Sequence, residues 1–198
     1  MFSVGLIGEP AVGKTTAIRE LIDGMHFTQH KLGTARWMQC EEQELILIGT
    51  YVGHTFDGTD RLSMSCYSDL ETMLQYFQQS DSLCSYGILW EGDRLARKRW
   101  LGALAFHGYH LLLLHLVADL KTVEQRRCNR GTKQNETWVT GRRNLCKKLA
   151  KEHKATHVIM DEDYFKVAEE LLMDKDVGVV VNRNYLQEKI KKHLGMEI

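Results

Sequence analysis

The stretch GEPAVGKTT, Gly8 to Thr16, limits this chain more than any other part of it. It matches G-x-x-x-x-G-K-[ST] in full. It also follows the apolar run FSVGLI and opens a segment in which Ala17, Ile18, Leu21 and Ile22 recur at helical spacing. Strand, glycine-rich turn and helix in that order make a phosphate cradle. Gly8 and Gly13 let successive backbone N–H groups turn toward phosphate oxygens, and the helix start adds partial positive charge. Lys14 is placed to reach the outer phosphates, and the Thr15 hydroxyl to ligate Mg2+. Gly8, Glu9, Ala11, Val12, Gly13, Lys14, Thr15 and Thr16 are thus the expected cofactor-binding loop for a nucleoside triphosphate with Mg2+.

Around that loop, short apolar runs alternate with amphipathic stretches. Strands are expected at FSVGLIG, GTARWMQ, ELILIGTYV, SYGILWE, HLLLLHLVA and, as the last core strand, ATHVIM. Helices are expected after Lys14, from a Ser68-Asp69 start into LETMLQYFQQ, and over RKRWLGALAFHG. Others are expected across most of 120–152, over YFKVAEELLM and over NYLQEKIKKHL. This alternation predicts an α/β fold, a mainly parallel sheet flanked by helices, in a single domain over residues 1–198. The five cysteines form no C-x-x-C pair, which points to a reducing compartment. The three central histidines, His107, His110 and His115, lack zinc-ligand spacing. No apolar run reaches the length of a membrane span, and the start lacks the basic flank of a leader, so a cytoplasmic protein without membrane contact is expected. Lys plus Arg balances Asp plus Glu at 26 each, so contact with a polyanion would have to come from local patches.

A phosphate loop does not say what is done with the triphosphate. A D-x-x-G switch and an N-K-x-D guanine reader are both absent from the sequence, and 198 residues is short for a motor ATPase. Small kinases remain. VEQRRCNRGTKQNETWVTGRR supports them, because Arg126, Arg127 and Arg130 fall at i, i+1 and i+4 of a presumed helix and Arg142 and Arg143 follow a polar loop. A basic flap closing over a triphosphate would exclude water and neutralise the moving phosphoryl group. Here the chain resembles the nucleoside and nucleotide kinase group of P-loop proteins, in which a lid carrying such arginines lies between the fourth and fifth core strands. The resemblance implies a three-layer P-loop kinase fold with a helical lid, at about residues 120–152. ILWEGDRL places Glu91 and Asp93 at the end of a buried strand, the position of an acid near Mg2+, with Arg94 a candidate for a substrate or donor phosphate. Glu91 and Asp93 stay open as alternatives for the metal. Asp161 to Tyr164, after the last expected strand, suits an acidic helix cap.

In this layout the acceptor belongs between the second-strand region and the next helix, where GTYVGHTFDGTDRLSM stands. Asp57 or Asp60 would accept or orient a hydroxyl proton, Arg61 would bind a phosphate, and Phe56 or Tyr51 would stack on a base. His54 reads as incidental. With the phosphate loop and WEGDRL, the phrase FDGTDRLSM is similar to bacteriophage kinases of DNA base hypermodification. These phosphorylate the hydroxymethyl group of 5-hydroxymethyluracil already in DNA. That resemblance implies ATP as donor, Mg2+ as cofactor, modified DNA as partner, and Asp57 or Asp60 near the acceptor hydroxyl. With Lys14 of the phosphate loop, Glu91 at the strand end and Arg126 and Arg130 of the expected lid, these make the expected catalytic set. A base in duplex DNA must be flipped to be reached, which needs stackers and a basic rim. Trp37, Tyr51, Phe56 and Trp138 are candidates for the first, and Arg61, Arg94, Arg97, Lys98 and Arg99 for the second. A kinase of a free nucleoside or nucleoside monophosphate, and a non-kinase ATPase module, are the alternatives.

Overall fold

A computed structural model describes residues 1–52, 57–63, 65–129, 131, 134–160, 180–182 and 186–194. The strands are β1 (Phe2–Ile7), β2 (Thr28–Leu32), β3 (Ala35–Cys40), β4 (Leu45–Ile48), β5 (Gly87–Glu91), β6 (His110–Val117), β7 (Thr156–Ile159) and β8 (Val180–Asn182). The helices are α1 (Lys14–Leu21), α2 (Tyr67–Gln79), α3 (Lys98–Phe106), α4 (Leu120–Asn129), α5 (Glu136–Glu152) and α6 (Leu186–Leu194). One sheet runs β2-β3-β4-β5-β1-β6-β7-β8, and β1 sits between β5 and β6. From β4 to β8 every neighbouring pair is parallel, while β3 is antiparallel to both β2 and β4.

Both faces of the central strands are covered, which explains why they read as continuous apolar runs rather than alternating ones. Ile46, Ile48, Ile88 and Trp90 face a core closed by α2, α3 and α5, through Phe77, Trp100 and Leu149 among others. Leu45, Leu47 and Leu89 point the other way, to a core closed by α1 and α6 through Ile18 and Ile190. The result is three layers, helices on each side of the sheet, as expected of the fold class.

Three expectations of local structure are corrected. β2 was not foreseen: all five residues of TQHKL are exposed, so this edge strand has no buried face to leave an apolar alternation. β7 is not the last strand, because β8 pairs parallel to it from His157–Val180 to Ile159–Asn182. Ser68-Asp69 does not cap α2, which starts at Tyr67 after Cys66 with no side-chain cap. Asp69 instead accepts from the Thr34 N–H and hydroxyl, both at 2.6 Å, and so ties the helix to the β2–β3 turn. The segment expected to be a lid forms α4 and α5 between β6 and β7, the fourth and fifth parallel strands in chain order once the β2–β3 hairpin is set aside. YFKVAEELLM and the Asp161–Tyr164 cap lie outside the described residues. No helix among the described residues is long and apolar enough to cross a membrane.

Candidate active site

The phosphate loop joins β1 to α1 at the carboxyl edge of the sheet, where strand order reverses and α/β folds place their ligands. Gly13 is the residue before α1 and has φ 114°, a left-handed conformation that a side chain resists. Ala11 is also left-handed, at φ 68°. Lys14 folds over the loop, its Nζ donating to the carbonyls of Gly8 at 2.9 Å and Glu9 at 3.0 Å. Val12 is buried in the core beneath, and Thr16 is exposed.

β5 brings up the acid. Glu91 is 3% exposed and accepts from the Thr15 hydroxyl at 2.9 Å and from the Tyr51 hydroxyl at 3.0 Å. Burial pushes its carboxyl up to about 7, while Lys14, Thr15 and Tyr51 pull it down and Asp60 adds to the rise. Tyr51 is held well above the usual phenol range by burial and then by Glu91, which keeps it a donor. The choice between Glu91 and Asp93 thus has a geometric answer. Glu91 meets the Thr15 hydroxyl, whereas Asp93 pairs with Arg142 of α5 at 2.5 Å. A hydroxyl and a carboxylate beside a phosphate cradle are hard oxygen donors, and they fit Mg2+, which keeps waters and phosphate oxygens as its other ligands. No group of three or more His, Cys, Asp or Glu that could hold a metal occurs among the described residues.

The expected acceptor loop is fastened to the same strand end. Thr50 and Gly58 bridge, with the Gly58 N–H donating to Thr50 O at 2.8 Å. The Thr59 hydroxyl donates to Glu91 O at 2.8 Å, and Arg94 Nη1 donates to Leu62 O at 2.8 Å. Tyr67 adds a short hydrogen bond to the Arg94 carbonyl. Asp57 is buried and pairs with Arg19 of α1 at 2.5 Å, while Asp60 is exposed on a one-turn 3-10 helix.

One cleft of about 150 Å3 collects Gly8, Ala11, Gly13, Lys14, Thr15, Asp57, Asp60, Glu91, Asp93 and Arg94 from the expected residues. Glu9, Val12 and Thr16 do not line it, although the Glu9 carboxylate holds Arg143 at 2.8 Å. Arg126 sits outside the cleft, donating to Val12 O at 3.1 Å and Met160 O at 3.2 Å. Arg127 does not share its side. It is buried and bonded to Glu136 at 2.7 Å. Tyr51 is no base stacker, because its ring is buried and its hydroxyl is committed to Glu91. Trp37 is none either, lying in the core between His30 and Phe77. His54, Phe56, Arg130 and the Arg61 side chain lie outside the described residues. Two further expected residues line the cleft, Trp138 as a candidate stacker and Arg142 of the expected lid, together with Pro10, Thr59, Gly92 and Gln134, which were not foreseen. Of the unforeseen four, Thr59 had a signal in its place beside Asp60.

No curated protein matches the chain closely enough to count as a relative. A model of the family described as P-loop Nucleotide Kinase3 does match, over residues 3–160, from within β1 to the residue after β7. That span covers the phosphate loop, Glu91, the expected acceptor loop, and α4 and α5 of the expected lid. The chain belongs to the P-loop Nucleotide Kinase3 family.

Proposed function

We propose that this protein is an ATP- and Mg2+-dependent phosphotransferase acting on the hydroxymethyl group of 5-hydroxymethyluracil in DNA. The observation that carries the reading is the convergence of Lys14, Thr15 and Glu91 with Asp57 and Asp60 on one cleft. When bound, Mg2+-ATP supplies the phosphoryl group and a charge sink for its transfer. Thr15 and Glu91 would hold the metal, and Lys14, now on its loop carbonyls, would turn to the outer phosphates. Asp57, paired with Arg19, orients the acceptor hydroxyl. Asp60 takes its proton as the acceptor oxygen bonds to phosphorus and the bond to the donor's bridging oxygen breaks. Arg142 pairs with Asp93, and Arg143 with Glu9 of the phosphate loop, which would keep both arginines beside the triphosphate.

Acidity on the acceptor side favours a neutral hydroxyl over a monophosphate, which those carboxylates would repel. The likeness of FDGTDRLSM and WEGDRL to the hypermodification kinases supports a base hydroxymethyl in DNA. So do Arg97 and Lys98, exposed at the start of α3 just beyond the Glu91 turn. The test is to offer γ-labelled ATP with hydroxymethyluracil-containing DNA, ordinary DNA, free nucleosides and free monophosphates in parallel. Label is expected on the modified DNA. Label on monophosphates alone, or release of free phosphate alone, overturns the proposal.

A further inference from the structure

Among the tryptophans, Trp37, Trp90 and Trp100 are 6%, 0% and 0% exposed, whereas Trp138 lines the cleft and leaves 44% of its surface open. A large apolar ring on a rim is unfavourable unless something covers it in use. The ring is also held in place. The Arg142 guanidinium, one helical turn on, lies 5.3 Å from its centroid, and that guanidinium is fixed by Asp93. The platform is thus tied to the turn after β5.

The same turn holds the acceptor loop, through Thr59 to Glu91 O and Arg94 to Leu62 O. Another arginine of that segment, Arg126, instead reaches Met160, the residue after β7. β5 and β7 lie on opposite sides of β1, so Trp138 stands on the acceptor loop's side of the phosphate loop. We infer that Trp138 is the platform on which the acceptor's pyrimidine ring stacks, with Arg142 and Asp93 as positioning residues that hold its plane. The identity of the base rests on the proposed function; the location of the platform does not.

Because the other three tryptophans are buried, emission excited at the red edge and quenched by acrylamide reports chiefly on Trp138. Two probes are titrated: a single-stranded oligonucleotide carrying hydroxymethyldeoxyuridine, and the free nucleoside. Both should quench the emission and protect it from acrylamide, and ATP should do neither. Asp93→Asn should raise acrylamide quenching in the free protein by releasing the ring. In turnover, Trp138→Ala should raise the KM for acceptor roughly tenfold, as loss of one base-stacking contact does, and leave the KM for ATP in place. Trp138→Phe, which keeps an aromatic face, should recover most of that loss. A rise in the KM for ATP instead, or no change in either constant, overturns the assignment. Quenching by the nucleoside without phosphorylation of modified DNA supports the platform and overturns the DNA acceptor.

Discussion

Gly58 links the proposed acceptor loop to Glu91, the carboxylate proposed to hold Mg2+, and Gly58→Ala tests that link. Gly58 has φ 75° and ψ −140°, a conformation nearly confined to glycine. A methyl group there would stand 2.2 Å from Glu91 Oε1 and 2.9 Å from the Tyr51 hydroxyl, both buried. Backbone strain contributes roughly 1 to 3 kcal/mol, and forcing apart packed buried groups a similar amount. The expected loss is about 3 to 5 kcal/mol, against a typical total stability of roughly 5 to 15. Gly24 supplies the control. It has φ 76° but nothing within 4 Å of an added methyl, so Gly24→Ala bears the strain alone, roughly 1 kcal/mol. Chemical denaturation in chelator measures both. For a chain of this length, thermal midpoints should fall by roughly 10 °C in the first and 3 °C in the second. The carboxylate that yields is the one bonded to Thr15, so Gly58→Ala should also raise the Mg2+ concentration needed for activity, and Gly24→Ala should not. If the two variants lose equal stability, or Mg2+ dependence stays fixed in Gly58→Ala, the coupling of loop to carboxylate is refuted.

The raised Glu91 carboxyl makes stability depend on pH. Its folded value of about 7 exceeds the ordinary 4.5, so its stabilising contribution is full below 4.5 and lost as pH rises through 7. The total is roughly 3 kcal/mol. His115, pushed down to about 3 by burial, has the opposite sign, losing stability as pH falls below 6.5. The difference between wild type and Glu91→Gln in chelator isolates the first effect, and a flat difference from pH 4.5 to 7 contradicts it. Mg2+ affinity should rise over the same interval and binding should release a proton, which calorimetry in two buffers detects. The two acceptor-loop acids should separate. Asp60→Asn, at an exposed position, should change stability by less than about 0.5 kcal/mol yet lower turnover at least a hundredfold, the order of a lost general base. Asp57→Asn should also cost roughly 1 to 3 kcal/mol by weakening the pair of the buried Asp57 carboxylate with half-exposed Arg19. Full turnover in Asp60→Asn removes it from the chemistry.

Much of the fold was legible because its signals are local. The phosphate loop is nine consecutive residues whose backbone conformation and chemistry need no distant partner. The buried strands announce themselves by continuous apolar runs, and α4 and α5 by an interrupted basic segment. β2 escaped because an exposed edge strand has no burial pattern, and Asp69 misled because a carboxylate three residues into a helix looks the same whether it caps or reaches across to Thr34.

What the sequence could not decide was which of several equivalent side chains meets which. Glu91 and Asp93 are two residues apart on one turn, and only the parallel register of β5 beside β1 sets the first against Thr15 and leaves the second to Arg142. Tyr51, Trp37 and Trp138 read alike as aromatic stackers. Tertiary packing buries Trp37, turns Tyr51 onto Glu91 and leaves Trp138 at the cleft mouth. The sequence alone determined the phosphate-loop fold and the family it marks, because a contiguous loop carries both. The partners around it were decided by the tertiary structure, because they come from strands and helices distant in the chain.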